Sequence, residues 1–328
     1  MAMARLLINK LARSQVTNRV MLIRPSCFKY NQETAGDNAF QAQLEGLTDS
    51  QAQEGALKEF KSLVTKLTEV NIAVKIFEDT VKVSPDAVFP NNWLSFHHDD
   101  NNVSRLVVYP MLSDKRKLER NLDIVKYWQE TLSLSVVDYS HYEREGKYLE
   151  GTGSMVLDRV NKLAYACISP RTNVEVLDIF CKDFGYTSVP FRAKLSPMND
   201  GELHDVYHTN VILSVCDGFA VICLEGIVDN VEREDVVQSL KKSNKEVVAI
   251  TGKQVSEFAG NVLQLAGQDG RTHLVMSSRA HASFTPEQLS VFQSHCDSCV
   301  VVPLDLIETL GGGGVRCMIA EVFPSDKH

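Results

Sequence analysis

Apolar runs of no more than six residues, each closed by a turn signal, limit this chain to short strands joined by helices and tight turns. The strand candidates are residues 19–24, 72–77, 105–109, 154–157, 164–168, 211–213, 219–224, 247–250 and 273–276. Helical periodicity is clearest over residues 52–70, where Leu57, Phe60, Leu63, Val64 and Leu67 share one face, and over 117–132 and 286–295. Turns such as Cys216-Asp-Gly218 and Gln268-Asp-Gly270 place hairpins between the helices. The expected class is therefore mixed α/β. It is not a doubly wound parallel sheet, in which every strand would lead into its own crossover helix.

With 44% apolar and 23% charged residues the composition is that of an ordinary globular chain. No stretch approaches the roughly 20 apolar residues of a membrane span. Against 42 acidic residues stand 34 basic ones, a net charge of -8, so no broad basic surface awaits a phosphate backbone and no nucleic-acid partner is expected. Eight cysteines scattered over 328 residues do not form a disulfide framework and suit a reducing, cytoplasmic setting. Cys296-Asp-Ser-Cys299 with His295 has the spacing of half a zinc site, but no second pair follows, so no metal is expected. Nor does a Gly-rich phosphate loop open any helix, so no nucleotide cofactor is expected. Residues 1–16 read as an extension before the main domain, 17–328. Arg5, Lys10, Arg13, Leu6, Leu7 and Leu11 permit a mitochondrial transit segment there, the alternative being a short basic helix or frayed end.

Small or polar residues interrupt apolar runs at Asn92, Gly153, Asn210, Asn261 and Cys317, at separations of 61, 57, 51 and 56. Units of that size repeated five times suit radial repetition about a centre. The last anchor ends the sharpest motif in the chain, Gly311-Gly-Gly-Gly-Val-Arg-Cys317-Met318. Four glycines let backbone approach a ligand, and a cysteine just after them, next to Arg316, has the expected exposure and positive surroundings of a low-pKa nucleophile. The alternative is a loop leading into a buried core cysteine. A thiolate needs a proton carrier working near neutrality. His97, His98 and His141 read as solvated surface, whereas His208 stands at the mouth of an apolar strand, either facing a cavity or satisfied in the core. Glu150, among the glycines of Glu150-Gly-Thr-Gly153, is either a site carboxylate or a solvated turn acid.

In order along the chain, Phe89-Pro-Asn-Asn92, Glu150-Gly-Thr-Gly153, His208-Thr-Asn210 and Gly311 to Met318 resemble the motifs of the guanidino-group-modifying superfamily. That superfamily includes arginine deiminases, dimethylargininases and amidinotransferases. A closer resemblance, from about Thr17 to Phe323, is to the bacterial arginine-deiminase-related group called CtlX. It is carried by Arg24-Pro25, Asn31-x-x-Thr34, Asp86 to Trp93, Leu149 to Ser154 and Glu308 to Gly312. The resemblance implies a five-unit pseudo-fivefold α/β propeller, the pentein fold, with its active site on the central axis. It implies Cys317 as nucleophile, His208 as general acid and base, and Glu150 as the carboxylate that pairs with substrate nitrogens. Arg171, in Ser169-Pro-Arg-Thr172, matches a residue that binds the substrate carboxylate, and Asp86 an acidic position ahead of the Phe-x-x turn.

Departures from the deiminase pattern bear on the substrate. Deiminases hold a guanidinium between two aspartates, and the matching residues here are Asn92 and Asn210. A cation facing amides loses charge pairing, whereas a neutral ureido group offers a carbonyl and N–H donors that asparagine complements. The sequence therefore reads as a cofactor-free, cysteine-dependent hydrolase taking citrulline to ornithine, ammonia and carbon dioxide. Other readings are an arginine deiminase, an arginine dihydrolase, a dimethylargininase-type hydrolase, or a non-catalytic protein that binds arginine-like amino acids or a protein partner. A homo-oligomer is left open.

Overall fold

The computed structural model describes residues 14–98, 103–196 and 202–323. Its strands are β1 Arg19–Arg24, β2 Ala73–Glu78, β3 Leu94–His98, β4 Ser104–Val108, β5 Ser135–Asp138, β6 Val156–Asp158, β7 Leu163–Cys167, β8 Thr187–Phe191, β9 Lys194–Leu195, β10 His204–Asp205, β11 Leu213–Val215, β12 Phe219–Ile222, β13 Glu246–Ala249, β14 Leu263–Ala266, β15 Thr272–Ser277, β16 Ser298–Val302 and β17 Ala320–Glu321. Apart from the β9–β10 ribbon they form five separate three-stranded sheets.

All five sheets share one plan. The middle strand runs antiparallel to one neighbour and parallel to the other, as in β3-β4-β5, β6-β7-β8, β11-β12-β13 and β14-β15-β16. A helical segment makes each parallel crossover, as this connection requires. The remaining sheet, β17-β1-β2, draws its antiparallel strand from the far end of the chain, with Val20 opposite Glu321 and Met21 opposite Ala320. The outcome is the mixed α/β class expected, with hairpin and crossover in every sheet.

Local chemistry explains the elements. The helix Asp49–Glu69 starts at a Thr48–Gln51 capping box and buries Ala52, Ala56, Phe60, Leu63 and Leu67. Leu57, expected on that face, is 36% exposed, because it lies about 100° around the helix from Ala56. The helix Val174–Phe184 has no counterpart in the sequence reading. Its Val, Ile and Cys content favours a strand, but the Asn173 N-cap and left-handed Gly185 settle the local choice. His97 is also corrected. Its place on β3 makes it a core residue, 2% exposed, packed on Phe180 and Phe184 and 2.5 Å from Ser95 Oγ, with burial holding its pKa well below the ordinary value.

Of the extension over residues 1–16, where the sequence permits a targeting segment, residues 1–13 lie outside the described residues. Gln15, expected in the extension, is buried. Its amide donates to Leu157 O at 2.9 Å and Val215 O at 3.0 Å, tying two sheets together. No helix among the described residues is long and apolar enough to cross a membrane.

Behind the glycine run, the helix Asp305–Gly311 buries Glu308 completely. Burial pushes its carboxyl up to about 8, against the pull of Ser277 and of Arg279, whose Nε is 4.0 Å away. The folded state thus holds a proton that the unfolded chain releases, and this group's contribution to stability falls as pH rises from about 4.5 to about 8. Glu308→Gln is expected to match the wild type near pH 4 and to be the more stable by on the order of 5 kcal/mol at pH 9. Urea melts across that range check this, and parallel pH dependences would refute it.

Candidate active site

Each sheet begins its antiparallel strand just after one of the five interrupting residues. Asn92 precedes β3, Gly153 β6, Asn210 β11, Asn261 β14 and Cys317 β17, each by two or three residues. The repeated connection brings these separated positions into contact. Asn210 Nδ2 lies 3.4 Å from Cys317 Sγ, Asn261 Nδ2 3.3 Å from the same sulfur, and the latter amide also donates to Asn210 O at 2.9 Å. Asn92, Gly153 and His208 meet on the other side. A Cβ added to Gly153 would fall on Asn92 Nδ2 and within 2.9 Å of His208 Nδ1 and Cε1. This position therefore has no room for a side chain. Gly153→Ala is expected to lower kcat/KM at least 100-fold by forcing His208 and Asn92 apart. Steady-state kinetics on the folded variant check this, and a loss below threefold would refute it.

A narrow cavity is lined by Asp86, Asn92, Arg171, His208 and Cys317 together with Phe89 and the glycine run. Glu150 and Asn210 lie one hydrogen bond behind it, on His208 and Cys317 respectively. All seven expected site residues are thus gathered in one place.

The thiol corrects the sequence reading. Cys317 is 4% exposed rather than open to solvent, and burial pushes its pKa up, opposed by hydrogen bonds from Asn261 and Asn210 and by the charge of Arg316. Cys317 is therefore a thiol in the free protein. His208 is 2% exposed, and burial lowers its pKa in spite of Glu150, so it is a neutral imidazole at pH 7. Its Nε2 is 2.8 Å from Glu150 Oε2. A carboxylate only accepts, so Nε2 carries the proton and the Nδ1 lone pair is left free as a base.

Burial acts to raise the pKa of Glu150, but Arg171, the His208 bond and Arg116 overcome it and hold the group well below the usual carboxylate range. Its bonds go to protein. Oε1 accepts from Leu112 N at 2.9 Å and Oε2 from His208. Glu150 in this arrangement orients the imidazole. Arg171 directs its fork at Asp37, with Nε 2.9 Å and Nη2 2.5 Å from the two carboxylate oxygens. Asp86 accepts from Asn31 and Thr34 through Oδ2, while its buried Oδ1 has no hydrogen-bond partner.

Two residues were not singled out in the sequence. Asp37 reads as an ordinary loop acid. Arg116, within Lys115-Arg116-Lys117, reads as part of a solvated basic run, yet it is 2% exposed and bonded through Nε and Nη2 to Glu119 at 2.9 and 3.0 Å. Its Nη1 donates to Asn92 Oδ1 at 3.0 Å. The i, i+3 spacing to Glu119 was the available signal. Asn261 was visible only as a repeat anchor.

Among the described residues no group of three or more His, Cys, Asp or Glu is placed to hold a metal ion. No curated protein matches the chain. Among solved structures, the fold is similar to that of the substrate-bound N-terminal domain of ArgZ, an arginine dihydrolase from the ornithine-ammonia cycle in Cyanobacteria. The TM-score is 0.71 at 16% identity, covering 93% of this chain and 98% of that one. An AgrE mutant in binary complex with L-arginine gives 0.70 at 16%, covering 94% of this chain and 41% of that one. A dimethylarginine dimethylaminohydrolase variant carrying an S-methyl-L-thiocitrulline adduct gives 0.61 at 12%, covering 94% and 100%. The model of the family described as N,N dimethylarginine dimethylhydrolase, eukaryotic, matches residues 24–324, and the chain belongs to that family, within the guanidino-group-modifying pentein superfamily.

Proposed function

We propose that this protein is a cysteine-dependent hydrolase of the ureido group of citrulline, releasing ornithine, ammonia and carbon dioxide. In this reading residues 17–328 are one catalytic domain, and the five sheets are the units of a five-unit propeller with the site on its axis. The observation that carries the substrate assignment is the orientation of two amides. Arg116 only donates, so the Asn92 atom facing it is Oδ1, which leaves the buried and unpartnered Nδ2 as a donor toward the cavity. Asn210 turns Nδ2 to Cys317 Sγ, the orientation a thiolate formed there requires, and is left with a buried, unpartnered Oδ1. The site thus holds one unpaired amide donor at the cavity and one unpaired amide acceptor a hydrogen bond behind it. A ureido group, with one carbonyl oxygen and N–H donors, satisfies both, whereas a guanidinium offers donors alone and leaves Asn92 facing a like group.

The chemistry follows from the same contacts. Neutral His208 takes the Cys317 proton through Nδ1, and the thiolate attacks the ureido carbon. Charge developing on the carbonyl oxygen is met by Asn92 Nδ2. The imidazolium, held by Glu150, returns the proton to the departing nitrogen and leaves an S-linked carbonyl adduct. His208 then removes a proton from water, which attacks the adduct; the C–S bond breaks, the imidazolium returns its proton to the sulfur, and the carbamate released loses carbon dioxide to give the second amine. Asp86 Oδ1 is the acceptor for a substrate ammonium, and Arg171 the partner of its carboxylate. No cofactor enters any of these steps.

The second reading, an arginine or methylarginine hydrolase, is favoured by the family description and by the ArgZ and AgrE complexes. Incubation with citrulline, arginine, methylated arginines and agmatine, following ornithine, citrulline and ammonia together, separates the two. The citrulline reading expects ornithine and ammonia from citrulline alone or far faster than from arginine. Release of citrulline from arginine or a methylated arginine gives the second reading. An absence of turnover with all four supports the non-catalytic binder.

A further inference from the structure

Asn261 supplies the fourth of the equivalent positions ahead of an antiparallel strand, yet neither the family motifs nor the mechanism above assigns it anything. It is 2% exposed and all its amide atoms are engaged. Its Oδ1 accepts from Arg316 N at 3.1 Å, which fixes the orientation of the amide, since that backbone group only donates. Its Nδ2 therefore faces the two remaining partners, Asn210 O at 2.9 Å and Cys317 Sγ at 3.3 Å, one for each hydrogen. Asn210 Nδ2 approaches the same sulfur at 3.4 Å. We propose that Asn261 is a catalytic residue, forming with Asn210 a two-donor cradle that holds Cys317 as a thiolate once His208 has taken its proton.

The need for such a cradle is physical. Sγ lies in a buried, largely apolar setting with Phe89, Val315 and Met318 in its core cluster, where an anion without donors is strongly disfavoured. His208 is held by Glu150 and serves as the proton carrier, so the two side-chain amides, beside the Gly314 backbone N–H, are the fixed donors at the sulfur. Asn261 also bonds both the chain before Cys317 and the backbone of Asn210, so it sets the distance between nucleophile and second donor. The inference rests on the reading of Cys317 as the nucleophile.

The test is the pH profile of Cys317 alkylation by chloroacetamide, with the adduct located by mass spectrometry, alongside kcat/KM against pH. In Asn261→Ala the alkylation profile is expected to move up by at least one pH unit, with a tenfold or greater loss of kcat/KM at pH 7 that shrinks as pH rises. Asn261→Asp keeps the size and the acceptor for Arg316 N, and should move the profile further in the same direction. A profile unchanged in a folded variant, with Cys317 still required for turnover, overturns the cradle alone. Turnover that survives Cys317→Ala overturns the nucleophile and the cradle with it. If neither Asn261 variant folds, the residue is a structural staple and the proposal fails.

Discussion

Cys317→Ala is expected to lose turnover by a factor on the order of 10⁴ or more while keeping the fold, since removal of an attacking nucleophile leaves only binding and charge stabilisation. The loss in stability should be small. Sγ is the only atom removed, and its partners are two amide N–H groups whose weak bonds to sulfur are easily replaced by water in the space vacated. Cys317→Ser separates nucleophilicity from shape. A hydroxyl in this setting lacks the low pKa needed to be ionised by a neutral imidazole, so serine should be nearly as inactive as alanine. The measurement is ornithine and ammonia release under saturating substrate, with circular dichroism as the control. Turnover within a few-fold of wild type would remove Cys317 from the mechanism.

The other large effect concerns charge at the two amides. The wild type should prefer citrulline to arginine in kcat/KM, and the double variant Asn92→Asp with Asn210→Asp should narrow or reverse that preference. With aspartate at 92, one oxygen still accepts from Arg116 and the other turns an acceptor on the cavity where a donor stood. Two carboxylates provide partners for a guanidinium and repel the citrulline carbonyl. The change expected is on the order of 2 to 5 kcal/mol per desolvated charge pair, or tens to thousands of fold in the ratio of specificity constants. The ratio is the informative quantity, because a carboxylate beside Cys317 also disfavours the thiolate and slows both substrates. A wild type that consumes arginine as readily as citrulline would refute the assignment.

Much of this site was legible because glycine, cysteine and asparagine interrupt otherwise apolar runs, and those interruptions mark where strands begin. Asn92, Gly153, Asn210, Asn261 and Cys317 could be aligned by spacing alone. The interior partners were not legible, since polar residues look alike in a sequence whether buried or solvated. Arg116 sits among lysines and His97 beside His98 and two aspartates, and only the packing of a helix or strand against its neighbours shows that both face inward. Strands such as Ser298–Val302 and Ala320–Glu321 were missed for related reasons. The first lies beside a Cys-x-x-Cys spacing that suggests a different chemistry, and the second is two residues long, too short for any periodicity. The exposure inferred for Cys317 from its glycines failed because Gly311 and Gly313 lie against the Phe89 ring, so flexible residues serve here to close the loop down.

The pairing of β17 with β1 has a consequence for how an active molecule comes into being. During synthesis β1 and β2 can join as soon as the first helix has formed, but the third place in their sheet stays open until residues 320 and 321 are made. Cys317 stands three residues ahead of that strand, so the event that fills the open edge also delivers its thiol to Asn210 and Asn261. A nascent chain with four finished sheets has its imidazole, its glutamate and both asparagines in hand and still lacks the thiol on which the proposed reaction depends. In the mechanism proposed above, only the meeting of β17 with β1 completes the site.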